Sequence, residues 1–248
     1  MNDRTPSADR LGWLRAATIA RVGLGRVGAA IPTAAALDFQ LSHALAKDAV
    51  EASLPKGALG DQIAGRQVVE VASQAPNRGA YLMRPDLGRL LTEDSRARLA
   101  GVRGDLAIVL ADGLSATAVL RHGPALAEAL IRRAADWKAA NIVVAHQARV
   151  AIGDDIGEAA EAKAVVVLIG ERPGLSAADS LSAYITWAPR RGRLDSERSC
   201  VSNIRPPHGL SIEAAADEIM HILHKAQLCN CTGVGMLAAL SAPRQIEG

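Results

Sequence analysis

Three short, unbroken apolar runs constrain the fold of this chain more than any other feature. They are LAIVLA within 105–111, IVVA within 141–145 and AVVVLI within 164–169. Helical patterns at 120–139 and 152–162 separate them. Strands that are apolar at every position are typical of parallel sheets, which helices cover on both faces. The sequence therefore predicts an α/β fold with a Rossmann-like, mostly parallel sheet flanked by helices.

Further elements lie outside these runs. The segments 67–72 and 181–187 predict two more strands. The segment 213–228 predicts a closing helix, with Ser211 as its N-cap. The sheet should therefore contain further strands besides the three apolar runs.

The first hundred residues have a different character from the rest of the chain. Helical patterns at 33–50 and 85–99 dominate this part of the sequence. We therefore predict a small, mainly helical N-terminal region over residues 1–98 and an α/β domain over residues 99–248.

Composition and charge exclude several functional classes. The 248 residues include 28 basic and 26 acidic side chains, a formal net charge of +2 that gives no electrostatic footprint for nucleic acid. No stretch approaches the ~18 uninterrupted apolar residues that indicate a membrane span. The polar N-terminus, MNDRTPSADR, is unlike a signal peptide. We expect a cytoplasmic protein that binds no nucleic acid and crosses no membrane.

Arginines are concentrated in one segment near the end of the chain. This segment contains Arg190, Arg191, Arg193 and Arg198. Such a cluster is typical either of a solvated loop or of a docking surface for an anionic partner or subunit. The sequence leaves both interpretations open.

The three cysteines predict neither a disulfide framework nor a metal site. Cys229 and Cys231 are separated by one residue, which is too close for a usual zinc knuckle. Cys200 lies among small residues and has no His–Asn arrangement nearby, so a buried packing role is favoured over a thiol nucleophile.

A glycine motif near the N-terminus suggests one alternative function. Gly23, Gly25 and Gly28 match the dinucleotide pattern G-x-G-x-x-G, which requires a strand before it and a helix after it. Residues 16–22 are compatible with a strand, but Pro32 interrupts the segment where the helix should run. A turn close to a neighbouring subunit is the favoured interpretation, and a free-standing nicotinamide-dependent oxidoreductase is the alternative.

The loops after the apolar strands are where a parallel α/β sheet binds ligands. Candidate groups lie at 112–115, Arg149–Val150 and 170–176. The last loop is the most informative, because two glycines and a proline frame Glu171 and Arg172. No catalytic triad, phosphate loop or metal-ligand cluster is present in the sequence. The residues alone therefore predict a ligand-binding α/β protein and indicate no particular reaction.

Six motifs occur in the same order as in one known family, over nearly the full chain. They are ARVGLGRVG at 20–28, HALAKDAV at 43–50, YLMRPDLGRLL at 81–91, DGLSATAV at 112–119, VVVLIGERPGLSAADSLSAY at 165–184 and ERSCVSNIRP at 197–206. GERPGL and CVSNIRP are the most specific of them. On these motifs the chain resembles the light (small) chain of ethanolamine ammonia-lyase, an adenosylcobalamin-dependent radical enzyme.

The resemblance implies a function and a set of contacts. The enzyme splits ethanolamine into acetaldehyde and ammonia, and its large subunit, a TIM barrel, holds the substrate. The small subunit covers the cobalamin at the interface between the two, in a hetero-oligomer of several heterodimers. The family's cobalamin contacts correspond to Val150, Glu171 and Cys200.

Departures from the family pattern occur in the N-terminal region. The family's basic stretch falls at 25–33, where two of its arginines are missing, and Ser42 replaces the Asp of its D-H pair. These changes bear on contacts with the large subunit, not on the cofactor loops. Packaging in a bacterial microcompartment stays open, as does a purely structural role in the oligomer.

Overall fold

The computed structural model describes residues 11–18 and 20–241, which form an α/β fold around one sheet. The strands are β1 (Gln62–Ile63), β2 (Arg66–Ala72), β3 (Leu106–Ala111), β4 (Ala139–His146), β5 (Ala164–Gly170), β6 (Leu181–Trp187) and β7 (Ser199–Ile204). Their order across the sheet is β1-β2-β4-β3-β5-β6-β7. The three apolar runs form strands β3, β4 and β5, as predicted, and these lie at the centre of the sheet.

The sheet is mixed, which corrects the prediction of a mostly parallel, Rossmann-like sheet. The pairs β2–β4, β3–β4 and β3–β5 are parallel, whereas β1–β2, β5–β6 and β6–β7 are antiparallel. The physical reason lies in the connection after β5. Residues 171–180 form a loop without a crossover helix, and a parallel return normally requires such a helix.

Helices cover both faces of the sheet. They are α1 (Gly12–Ala17), α2 (Thr33–Glu51), α3 (Arg78–Met83), α4 (Glu93–Leu99), α5 (Ala116–Arg133), α6 (Ile152–Ala159), α7 (Ile212–Cys229) and α8 (Val234–Ser241). Helices α5 and α7 pack on one face, while α4 and α6 pack on the other. Ser211 caps α7 as predicted, since its side chain accepts a hydrogen bond from the Ala214 N–H. No helix in the described ranges is long and apolar enough to cross a membrane.

The N-terminal part of the chain contributes to the same sheet. Strand β2 lies before residue 98 and pairs with β4, which lies after it. The division into residues 1–98 and 99–248 stays a prediction. Helix α2 presents Leu37, Leu41 and Leu45 to solvent, each more than half exposed, so these apolar side chains are uncovered in the single chain.

Candidate functional site

Three loops meet at the carboxyl ends of β3, β4 and β5. The loop after β3 touches the end of β5, because the Leu114 N–H donates to the Gly170 carbonyl at 3.0 Å. Gly113 makes this approach possible: its φ is +55°, and a Cβ there would lie 2.4 Å from the same oxygen. This contact joins the loop after β3 to the loop that carries Glu171. The loop that carries Val150 follows β4, which runs parallel to β3 and therefore ends at the same end of the sheet.

Asp112 holds the loop that carries Arg149 and Val150. Its buried carboxylate accepts hydrogen bonds from the Gln147 and Ala148 N–H groups, both at 2.9 Å. Burial raises the pKa of Asp112, and the two N–H donors and nearby Arg78 oppose that rise. Asp112 is therefore a structural anchor.

Tyr81 forms the floor of the site between two arginines. The guanidinium carbons of Arg78 and Arg149 lie 4.6 and 4.2 Å from the centre of its ring. The Tyr81 hydroxyl donates to the Ala148 carbonyl at 3.2 Å, and burial raises the pKa of this phenol to about 12. The stack fixes the position of Arg149 next to Val150.

Glu171 is half-buried and held by the neighbouring strands through one of its two oxygens. Its Oε1 accepts from the Ser182 hydroxyl at 2.6 Å and from the Asn203 N–H at 2.8 Å. Its Oε2 accepts no hydrogen bond from the described residues. The side chain is thus oriented by the protein while half of its acceptor capacity stays available to a ligand.

Cys200 lies directly opposite Tyr184, its partner in the register of β6 and β7. The residue is exposed, which corrects the expectation of a buried packing cysteine. Partial desolvation of the thiol nevertheless raises its pKa, so the sulfur stays protonated near neutral pH. Desolvation, with a smaller contribution from Cys200, raises the pKa of Tyr184 to about 12.

Two adjoining cavities open on this surface. The smaller, of about 160 Å³, is lined by Val150, Glu171 and Tyr184 among others. The larger, of about 380 Å³, shares Arg149, Val150 and Tyr184 with the first. Cys200 lines neither cavity, but it adjoins both through Tyr184. The three predicted contact residues therefore surround one tyrosine that the sequence did not single out.

Comparison with known proteins decides the family. The profile described as "Ethanolamine ammonia-lyase light chain" matches residues 8–237. The chain belongs to the ethanolamine ammonia-lyase light-chain family. An "Ethanolamine ammonia-lyase small subunit" of Rhodopseudomonas palustris (strain BisA53) is 48% identical, over 100% of this chain and 99% of that protein.

Other light-chain relatives agree over nearly the same span. The protein of the same name from Xanthomonas campestris pv. campestris (strain ATCC 33913) is 47% identical over 93% of this chain and 88% of its own length. That of Azotobacter vinelandii is 46% identical over 94% and 90%. The family prediction made from the six motifs is confirmed.

Sequence reasoning on this light chain missed Tyr184 and Ser182. Both lie on β6 two residues apart, so they share the sheet face that α6 covers. The alternation in LSAYITW could have revealed this, since it places a hydroxyl and a phenol on one face. The rule that ligands bind beyond the strand ends does not identify them, because both lie within a strand.

The arginine cluster of the light chain largely makes internal ion pairs. Arg198 and Asp154 are both buried and form a bidentate pair, with Nη2 to Oδ2 at 2.8 Å. Arg191 binds Asp155 through two contacts of 2.9 Å. These pairs attach the segment after β6 to α6, so their charges are compensated within the chain.

The dinucleotide interpretation of the glycine motif is not supported. Residues 20–26 form neither helix nor strand, and Gly28 lies in a turn closed by Val27 and Ala30. The strand–turn–helix context that the motif requires is therefore missing from residues 20–51. No group of three or more His, Cys, Asp or Glu side chains suited to a metal ion occurs in the described part of the chain.

Proposed function

We propose that this chain acts as the small subunit of ethanolamine ammonia-lyase and binds adenosylcobalamin against a large subunit. The reaction is the conversion of ethanolamine to acetaldehyde and ammonia. The observation that carries the proposal is the grouping of Val150, Glu171 and Cys200 around Tyr184 on one open surface. These are the residues that the family resemblance connects with cobalamin.

The residues present fit a corrinoid. A corrin ring is an apolar macrocycle with amide side chains, which need hydrogen-bond acceptors and donors at its rim. Glu171 offers the unused Oε2 as an acceptor, and Val150 and the neutral thiol of Cys200 offer apolar or weakly polar surface. When bound, adenosylcobalamin supplies the radical by homolysis of its cobalt–carbon bond.

The surface that carries Val150, Glu171 and Cys200 is open, which supports the proposal that a partner protein covers the bound cofactor. The cavities of about 160 and 380 Å³ are each too small for a whole corrinoid, and Cys200 is exposed. Binding would therefore leave much of the cofactor in water unless a second protein surface closed over it. A large subunit, with a TIM barrel that holds the substrate, is the partner we propose, in a hetero-oligomer of several heterodimers.

The chain's own groups are suited to binding rather than to proton transfer. The Oε1 of Glu171 is committed to Ser182 and Asn203, and the raised pKa of Cys200 keeps its thiol neutral. We therefore assign no catalytic residue to this subunit. Its task is to orient the cofactor and to exclude water from it. A cytoplasmic location is part of the proposal, and microcompartment packaging is not needed for it.

Reconstitution with the cognate large chain tests this function. We expect ammonia release from ethanolamine only when both chains and adenosylcobalamin are present. Absence of cobalamin-dependent ammonia release would contradict the proposal. A variant changed together at Val150, Glu171 and Cys200 tests the alternative of a purely structural subunit, which predicts unchanged cofactor affinity.

A further inference from the structure

Arg149 carries a positive charge that no carboxylate compensates. Its Nη2 donates to the Tyr81 carbonyl at 3.1 Å, and its buried Nε has no hydrogen-bond partner. No Asp or Glu of the described residues forms an ion pair with it. Arginines around it are all within 4.0 Å of a carboxylate oxygen: Arg78, Arg89 and Arg198. Since an isolated charge beside a cavity is costly, a ligand is the natural counterion.

The larger cavity has an excess of positive charge. Its volume is about 380 Å³, and its lining includes Arg89, Arg149 and Arg198 but a single carboxylate, Asp195. Asp195 lies 3.7 Å from Arg89 and 3.3 Å from Arg198, and Arg198 also pairs with the buried Asp154. Of the three arginines that line this cavity, Arg149 is therefore the one without a carboxylate partner among the described residues. Arg172 also lacks a carboxylate partner, but it is exposed and lines the smaller cavity.

Backbone donors lie next to this guanidinium. Val150 and Ala151 line the larger cavity, and their N–H groups donate to no acceptor in the described residues. They immediately precede α6, whose N-terminal end carries partial positive charge. A guanidinium combined with free backbone N–H groups is suited to the oxygens of a tetrahedral anion.

We propose that this cavity is an anion subsite for a phosphodiester and that Arg149 is its main ligand. The assignment rests on the proposed function, because cobalamin carries one such group, in the arm that joins its nucleotide to the corrin. Val150 and Tyr184 line both cavities, so one ligand can reach Glu171 and Arg149 together. The nucleotide arm would then lie over α6 and the corrin over β6.

A comparison of two corrinoids distinguishes binding of the phosphodiester from binding of the corrin ring. The reconstituted two-chain complex is titrated by equilibrium dialysis with hydroxocobalamin and with cobinamide, which lacks the phosphodiester and the nucleotide. We expect Arg149→Met to weaken hydroxocobalamin binding on the order of ten- to a hundredfold and to leave cobinamide binding unchanged. Arg149→Lys should recover part of the loss, because it retains the charge without the planar fork. Arg103→Met, which removes an exposed arginine paired with Glu161, is the matched control and should change neither affinity.

The possible outcomes separate a failure of the anion subsite from a failure of the proposed cobalamin-binding function. Unchanged hydroxocobalamin affinity in Arg149→Met, or an equal loss for both corrinoids, overturns the subsite while the cofactor site stands. Failure of the unaltered complex to bind either corrinoid refutes the proposed function instead.

Inorganic phosphate should compete with hydroxocobalamin and not with cobinamide. Phosphate that binds at Arg149 without such competition would assign the subsite to free phosphate and overturn the nucleotide-arm assignment. If Arg149→Met does not fold, Arg149→Lys decides on the same measurements.

Discussion

Replacing Glu171 by glutamine tests the proposed cobalamin contact and leaves the loop's own hydrogen bonds in place. The Oε1 of Glu171 accepts from Ser182 and Asn203, and a glutamine carbonyl can keep both hydrogen bonds. The available Oε2, however, becomes an NH₂ group that can no longer accept from a corrin amide. The substitution should therefore remove the proposed contact to the ligand and preserve the contacts within the protein.

The magnitude follows from the type of hydrogen bond. A hydrogen bond to a charged acceptor contributes about 1.5–3 kcal/mol, which corresponds to a loss of affinity of roughly ten- to a hundredfold. Glu171→Ala should lose as much affinity and, in addition, about 1–3 kcal/mol of unfolding free energy, because Ser182 and Asn203 lose their shared acceptor.

The assay is equilibrium dialysis of adenosylcobalamin against the two-chain complex, with urea unfolding of each variant measured in parallel. Glu128→Gln is the matched control, since Glu128 is exposed on α5 and far in the fold from the strand ends. Wild-type affinity in Glu171→Gln would remove Glu171 from the cofactor site.

Three further predictions concern stability. Burial lowers the pKa of His122 below its ordinary value of about 6.5. The unfolded chain therefore binds a proton at this histidine more readily than the folded chain does. As a result, the free energy of unfolding should fall as the pH drops below about 6.5. His122→Gln should flatten that part of the urea-unfolding profile, and an unchanged slope would refute the assignment. Arg198→Met should cost about 3–5 kcal/mol, because it leaves the buried Asp154 unpaired; adding Asp154→Leu should recover much of the loss, and no recovery would contradict this account. Gly113→Ala should destabilise more than Gly192→Ala, since both glycines have positive φ but only at Gly113 would a Cβ meet another backbone; equal losses in thermal unfolding would count against the close approach of the loops.

Strands β3 and β5 could be predicted because every position in them is buried. LAIVLA and AVVVLIG have no polar residue to suggest an exposed face, and both are buried throughout. Strand direction could not be predicted this way, since β6 is almost as apolar and runs antiparallel to β5. Strand β7 was missed because half of the residues in SCVSNI are polar and half are exposed, at the edge of the sheet.

The site was predictable where it follows strand ends and unpredictable where it depends on tertiary pairing. Val150 and Glu171 follow β4 and β5, so the rule for parallel sheets locates them. The isolation of Arg149 could not be inferred, because arginines nearby find carboxylates far along the chain. Arg198 pairs with Asp154, 44 residues away. The tertiary fold therefore decides which arginine has no carboxylate partner.

The most direct test of the central claim is a structure of the two-chain complex with adenosylcobalamin bound. In that structure we expect Glu171 Oε2 to lie about 3 Å from an amide nitrogen of the corrin. We also expect Val150 and Cys200 to contact the same cofactor and the large subunit to cover its opposite side. A cofactor bound wholly within the large subunit, with Glu171 facing water, would contradict it.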